Sequence, residues 1–240
     1  MASTVLRLRK ILRGLSSSLN ARALAHGVGA SVEHDFVLRQ RNWTTVIDVG
    51  ANKGQFALAA MALGPNVRVY SFEPLKGPAG IYRRVFADEG RVKIYQAAIG
   101  ASKASLPMNV SAKDDSSSLL PIGLEQVSLF PETMMAGVET VEVAPLCDFL
   151  DLSLLQDPVL LKLDVQGYEY EALHGCEALF SRVDGIYVEC SYRELYSGQK
   201  LASDVIAWLL ARGFILKDVL NTQRDRAGLA VQSDLLFYKL

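Results

Sequence analysis

The stretch "VIDVGANKGQF", residues 46–56, sets an apolar run against a loop of small residues and then the start of a helical pattern. Val46, Ile47 and Val49 suit a buried strand, and Gly50-Ala51-Asn52 lets the backbone turn tightly. Over residues 53–63, Phe56, Leu58, Ala59, Ala60 and Leu63 fall at helical spacing until Gly64-Pro65 ends the run. Gly50 and Gly54 do not have the G-x-G-x-x-G spacing of a dinucleotide fingerprint. Strand, glycine turn and helix in this order make the first unit of an open parallel α/β sheet.

The same alternation continues downstream. "VRVYSFE" (67–73) reads as a second strand, residues 76–87 as a second helix, and "VKIYQAAI" (92–99) as a third strand. Strands that are apolar at successive positions are buried on both faces, which implies a parallel sheet covered by helices on each side. Residues 100–145 break the rhythm with "SLPMNVS", "DDSSSLLP" and "VETVEVAPL", read as short strands and a polar loop. Alternation returns with "PVLLKLD" (158–164), a helix over 169–180, "GIYVECS" (185–191) and a helix near 202–212. "FILKDVL" (214–220) and "DLLFYKL" (234–240) then close the chain as two strands with no helix between them, which points to an antiparallel final pair. No repeat, linker or low-complexity tract interrupts this, so residues 43–240 read as one domain behind an extension of residues 1–42.

Of the 240 residues, 50% are hydrophobic and 21% charged, as in ordinary globular proteins. A net charge of −1 gives no global pull towards nucleic acid, and no nucleic-acid partner is expected. The charge is uneven: residues 1–42 carry +5 and the rest −6. Val5, Leu8, Ile11, Leu12, Leu15 and Leu19 lie at helix-like spacing between basic residues. This basic helix either packs on the domain or docks on a membrane surface or a partner. Cys147, Cys176 and Cys190 are odd in number and widely spaced, fitting neither a disulfide framework nor a zinc site. With no apolar run of membrane-spanning length and no signal-peptide pattern, a reducing, cytoplasmic location is expected.

In such sheets ligands bind beyond the carboxyl ends of the strands. Asp48 and Gly50, Glu73, residues 96–98 and Asp164 stand there, so three strands end in an acid. The turn at Gly50 allows close approach of a ligand, and the helix behind it offers free N–H groups. Glu73 lies 23 residues beyond Gly50, where an acid meets ribose hydroxyls, and Pro74 holds it extended. Asp48 ahead of the loop disfavours a pyrophosphate and suits a ligand with a positive centre.

Together these residues resemble the class I S-adenosylmethionine-dependent methyltransferases, and more closely their FkbM family. "VIDVGANKGQF", "SFEP", "QAAIG", "SSSLLP", "LLKLDVQGYEYEAL", "VEC" and "DLLFYKL" carry the resemblance across roughly residues 44–240. It implies a Rossmann-like α/β fold with a seven-stranded sheet of order 3-2-1-4-5-7-6, its last strand antiparallel. It also implies S-adenosylmethionine as cofactor. Asp48, Gly50, Ala51 and Asn52 would surround its methionine part, with Glu73 and Pro74 at the ribose and Ala97 and Ala98 near the adenine. Asp164 would face the acceptor, a small molecule such as a sugar or polyketide hydroxyl. Where the family shows V-x-x-T-L-D before the fourth strand, Pro145-Leu146-Cys147 stands here with Asp148 following.

A hydroxyl acceptor needs a base, and Asp164 is read as that base, unless it orients the cofactor or caps the turn. Glu169, at the start of the next helix, is a second catalytic candidate, although the helix dipole favours an acid there anyway. His174 reads as packed or exposed; His26 and His34 show no evident partner. Asp164, Asp114 or Asp115, and Glu189 could accept magnesium, but no spacing demands it and no metal is assigned. Asp114 and Asp115 lie in the irregular stretch, where insertions shape substrate pockets. The rival readings are a nicotinamide-dependent oxidoreductase and a non-catalytic methyltransferase-like binding protein.

Overall fold

A computed structural model describes residues 17–240, so Val5, Leu8, Ile11, Leu12 and Leu15 of the expected N-terminal helix lie outside the described residues. Ten strands follow in chain order: β1 Thr45–Val49, β2 Arg68–Phe72, β3 Val92–Tyr95, β4 Ala98–Ile99, β5 Ala104–Ser111, β6 Met135–Ala144, β7 Val159–Leu163, β8 Gly185–Ser191, β9 Phe214–Arg224 and β10 Ala230–Lys239. Seven of them form one sheet in the order β3-β2-β1-β7-β8-β10-β9. Counted within that sheet alone this is the expected 3-2-1-4-5-7-6, and β10 runs antiparallel to both of its neighbours.

β1 and β7 are buried at every position because each of their faces meets a separate core. Ile47, Val49, Leu161, Leu163, Ile186 and Val188 point to one face, under the helices Glu169–Cys176 and Ala202–Leu210. Val46, Leu160, Tyr187 and Leu236 point to the other, under Gln55–Met61 and Lys76–Val85. Ala23, Val28, Val37 and Leu38 of the N-terminal segment are buried in this second core as well. Complete burial of one such side chain contributes roughly 1.5–3 kcal/mol, so this segment adds materially to the core.

The third strand departs from the expectation of one element over 92–99. β3 stops at Tyr95, whose carbonyl accepts from Glu73 N at 3.1 Å, and Ala98 and Ile99 pair instead with Val143 and Ala144 of β6. The chain thereby passes from the large sheet into a second sheet of order β4-β6-β5, built from the stretch that read as irregular. The helix after β1 begins at Gln55 rather than at Lys53, because Gly54 takes a left-handed φ of +95° immediately before it. β9 and β10 extend beyond their apolar runs, their polar ends paired across the ladder from Ala230 to Arg224. No helix among the described residues is long and apolar enough to cross a membrane.

Candidate active site

The order of strands reverses between β1 and β7, and a cavity of about 260 Å³ opens beyond their carboxyl ends. Gly50, Ala51 and Asn52 form one wall, Glu73 and Pro74 the next, and Ala97 with Ala98 a third. Gly50 has φ +79°, and a Cβ placed there would sit 1.8 Å from the carbonyl oxygen of Asp164. Only glycine allows the two strand ends to meet this closely. Glu73 is buried, its Oε2 accepting from Asn52 N at 2.9 Å and its Oε1 from Leu75 N at 2.8 Å. Burial pushes its carboxyl up to about 7 against the pull of those two N–H groups. Each oxygen retains a lone pair for a ligand hydroxyl.

Asp48 does not line this cavity. It is fully buried on the face of β1 that meets Lys162, its register partner on β7, and its Oδ1 lies 3.1 Å from Lys162 Nζ. The positive centre expected beside Asp48 is therefore a side chain of the protein itself. Apart from this ion pair the Asp48 oxygens accept no hydrogen bond among the described residues, and burial lifts its carboxyl above the usual range while Lys162 opposes the lift. Burial alone would lower Lys162, but the charges of Asp48 and Asp164 outweigh it and push the ammonium up to about 12. Lys162 also donates to Gly50 O at 3.1 Å, tying the glycine turn to β7, and it lines the cavity.

Asp164 lines the cavity, its side chain 38% exposed and one oxygen 3.8 Å from Lys162. Its Oδ1 accepts from Gln166 Nε2 at 2.7 Å, and the same amide donates to Glu189 Oε2 at 2.9 Å. Gln166 takes a positive φ of 55°, and its Oε1 accepts from Tyr196 Oη at 2.8 Å. Strain of this kind, held by three side-chain bonds, marks a loop shaped by its surroundings rather than by local preference. Glu169 does not reach the cavity. It is buried beneath the loop, accepting from Val165 N at 2.9 Å and from Gly167 N at 3.0 Å, and burial pushes it up to about 7. Its task is to fold residues 164–168.

His34, read from the sequence as lacking a partner, has one here. Nδ1 lies 2.9 Å from Tyr187 Oη, and the ring sits edge-on to Phe56 at 5.4 Å between centroids. Tyr187 Oη in turn donates to Asp234 Oδ2 at 2.6 Å. These residues come together because Lys162 and Tyr187 are register neighbours, while Glu189 faces Asp234 one pleat further along the same face. The N-terminal segment crosses that face and brings His34 and Glu33 to the cavity. No motif signals this cluster; a lysine inside the apolar run "VLLKL" is the one local hint.

Asp114 and Asp115 also line the cavity, and Lys53 Nζ lies 2.7 Å from Asp114 Oδ2, joining the glycine loop to the second sheet's insertion. Asp148 is instead paired with Lys103 at 3.2 Å on the surface. His174 packs at 4.7 Å from Trp208 and at 4.9 Å from Tyr170, outside the site. Cys176 and Cys190 are buried core residues, while Cys147 is exposed.

The 2-O-methyltransferase NoeI of Sinorhizobium fredii (strain NBRC 101917 / NGR234) is 26% identical over 160 residues, covering 64% of this chain and 66% of that protein, just under two thirds of its length. Similar solved structures include Aeropyrum pernix fibrillarin in complex with natively bound S-adenosyl-L-methionine (14% identity, 94% of this chain, 76% of that chain, TM-score 0.48). Another is a putative S-adenosylmethionine-dependent methyltransferase from Listeria monocytogenes (11% identity, 86% of this chain, 96% of that chain, TM-score 0.49). At such identities and TM-scores, likeness to these two says nothing of what the chain acts on. The family described as "Methyltransferase FkbM domain" matches residues 48–216, from the buried aspartate of β1 into β9. Spanning well over half of the sequence and most of the large sheet, that match makes the chain a member of the FkbM family of methyltransferases.

Proposed function

We propose that the chain transfers a methyl group from S-adenosylmethionine to a hydroxyl of a sugar- or polyketide-type small molecule. The observation that carries the cofactor is Glu73: a buried acid at the end of β2, with lone pairs left for vicinal hydroxyls and hydrogen-bonded to the glycine loop at Asn52 N. Glu33, Asp114, Asp115 and Asp164 line the cavity against Lys162, a balance that suits a sulfonium and opposes a pyrophosphate. The name of the NoeI relative supports oxygen as the acceptor atom.

When bound, the cofactor supplies a methyl group on a positively charged sulfur. The protein's part is chiefly to align the acceptor with it. Gly50-Ala51-Asn52 and Glu73 hold the donor side; Pro74, Ala97 and Ala98 shape the wall for the base. Asp164 accepts the hydrogen bond of the acceptor hydroxyl and polarises it, oriented by Gln166. Glu169 acts through the loop it folds, as a positioning residue. An acceptor enters past Asp114 and Asp115 of the insertion.

The test is incubation of the protein with methyl-labelled S-adenosylmethionine and a panel of glycosides and phenolic or polyketide alcohols, read by mass spectrometry. A labelled methyl group on an ether oxygen of the product is the expected result. A nicotinamide-dependent reaction, the main rival, is opposed by the missing G-x-G-x-x-G spacing. Stabilisation by NADH but not by S-adenosylhomocysteine would reverse that judgement.

A further inference from the structure

We infer that His34 is a further catalytic residue of this cavity, its Nε2 taking the proton that the acceptor hydroxyl gives up. The inference rests on the methyl-transfer reading of the same site.

The argument starts from proton counting. Tyr187 has one phenolic proton, and Asp234 Oδ2 at 2.6 Å takes it. Asn221 Nδ2 donates to the same carboxylate oxygen at 2.7 Å and to Tyr187 Oη at 3.2 Å, which leaves the phenol oxygen only an accepting role towards His34. His34 Nδ1, 2.9 Å away, must then carry the proton of the neutral ring. Nε2 holds the lone pair. It has no hydrogen-bond partner among the described residues, and His34 lines the cavity that Asp164, Lys162 and Gln166 also line. Asp234 through Tyr187 thus fixes the tautomer of His34 in the way a buried carboxylate fixes that of a catalytic histidine.

The ring is held on both sides. Phe56 and Tyr187 meet it edge-on, with centroids at 5.4 and 5.5 Å. The charged and titratable groups facing it are Glu33 on its own segment, Asp48 on β1, Lys162 and Asp164 on β7, Tyr187 on β8 and Asp234 on β10. Burial lowers the His34 pKa below 6.5 and Lys162 adds to that, against the raising effect of Asp234, Glu33 and Asp164. A neutral imidazole at pH 7 is therefore available to accept a proton.

The step balances without a further reagent. The acceptor O–H bond breaks and its proton passes to Nε2. The oxygen's electron pair forms the O–CH3 bond, the C–S bond breaks, and its pair returns to sulfur. The imidazolium then releases its proton to water. Asp164, already engaged by Gln166 and facing Lys162, aims the hydroxyl rather than keeping its proton.

The experiment compares wild type, His34→Gln, His34→Ala and Asp164→Asn with a hydroxyl acceptor identified by label transfer, measuring kcat between about pH 5 and pH 9. Wild-type kcat is expected to fall as the pH drops through the lowered His34 value. His34→Gln should lose about 10²–10⁴-fold in kcat and lose that acid limb, with S-adenosylhomocysteine still raising the melting temperature. Added imidazole should restore turnover to His34→Ala, which a merely structural role would not allow. Nitrogen-15 NMR of the S-adenosylhomocysteine complex, labelled in histidine, should show His34 protonated at Nδ1, and Tyr187→Phe should abolish that preference. A folded His34→Gln that keeps wild-type kcat and its acid limb overturns the inference alone, as does an Nε2–H tautomer. A wild type that methylates no hydroxyl removes the methyl-transfer reading and the inference with it.

Discussion

The carboxyl edge of the large sheet and the small sheet of β4, β5 and β6 meet at the same cavity but are built differently. β1 and β7 are buried at every residue, and Gly50, Lys162 and Asp164 are locked together across them. β5 and β6 bury only some of their positions, among them Met108, Val141 and Val143, and leave many exposed, with Met134, Met135 and Val138 each more than half exposed. A wall made of strands buried on both faces cannot move without breaking two cores, whereas a small sheet with one wet face can be reshaped cheaply. On the proposed reading, the first wall grips the methionine part and ribose of the donor and aims the acceptor hydroxyl, while the rest of the acceptor is chosen by the second. The difference teaches that one fold can keep its chemistry while its substrates change.

The sharpest way to break this comparison is Asp164→Asn. Turnover is expected to fall about 10²-fold, the acceptor hydroxyl being less well aimed, while S-adenosylhomocysteine binding by calorimetry stays intact. Full activity would remove Asp164 from the acceptor side. Glu73→Ala should do the reverse, weakening S-adenosylhomocysteine binding by roughly 100-fold, about 2.7 kcal/mol, through the lost charged hydrogen bonds. Unchanged affinity would detach the ribose from the end of β2.

A gentler probe is pH. Glu73 stands at about 7 in the free protein, and ligand hydroxyls favour its anion, so binding pulls its pKa down. Affinity is then full above pH 7 and falls as the pH drops below it, by about tenfold between pH 8 and pH 6. Glu73→Gln should flatten that profile in the same titration. The smallest effect is expected at the junction of the two walls. Lys53→Ala removes a part-exposed ion pair with Asp114 and should change the acceptor KM by only about two- to fivefold, leaving cofactor affinity alone. An equal loss in both would mean that the insertion supports the donor site as well.

The strands of the large sheet were readable because each is an apolar run closed by a turn residue or an acid. Gly50, Glu73 and Asp164 were readable because strand ends are where such sheets bind. The break after Tyr95 was not, since "VKIYQAAI" is uniformly strand-like and only the rival edge of β6 divides it. The partnership of Asp48 with Lys162 follows from register across 114 positions of chain, which no local pattern encodes. Glu169 misled because an acid at a helix start has the same appearance whether it faces a ligand or folds its own loop. His34 could not be found at all without knowing that the N-terminal segment crosses the sheet.

That crossing has a practical edge. The family match begins at residue 48, yet Ala23, Val28, Val37 and Leu38 already belong to the core beneath Phe56 and Tyr187. A protein trimmed to the recognised portion would present a greasy hollow to water and stick to its neighbours during purification. A shortened form made for crystals should therefore keep Ala23, Val28, Val37 and Leu38 together with the matched portion.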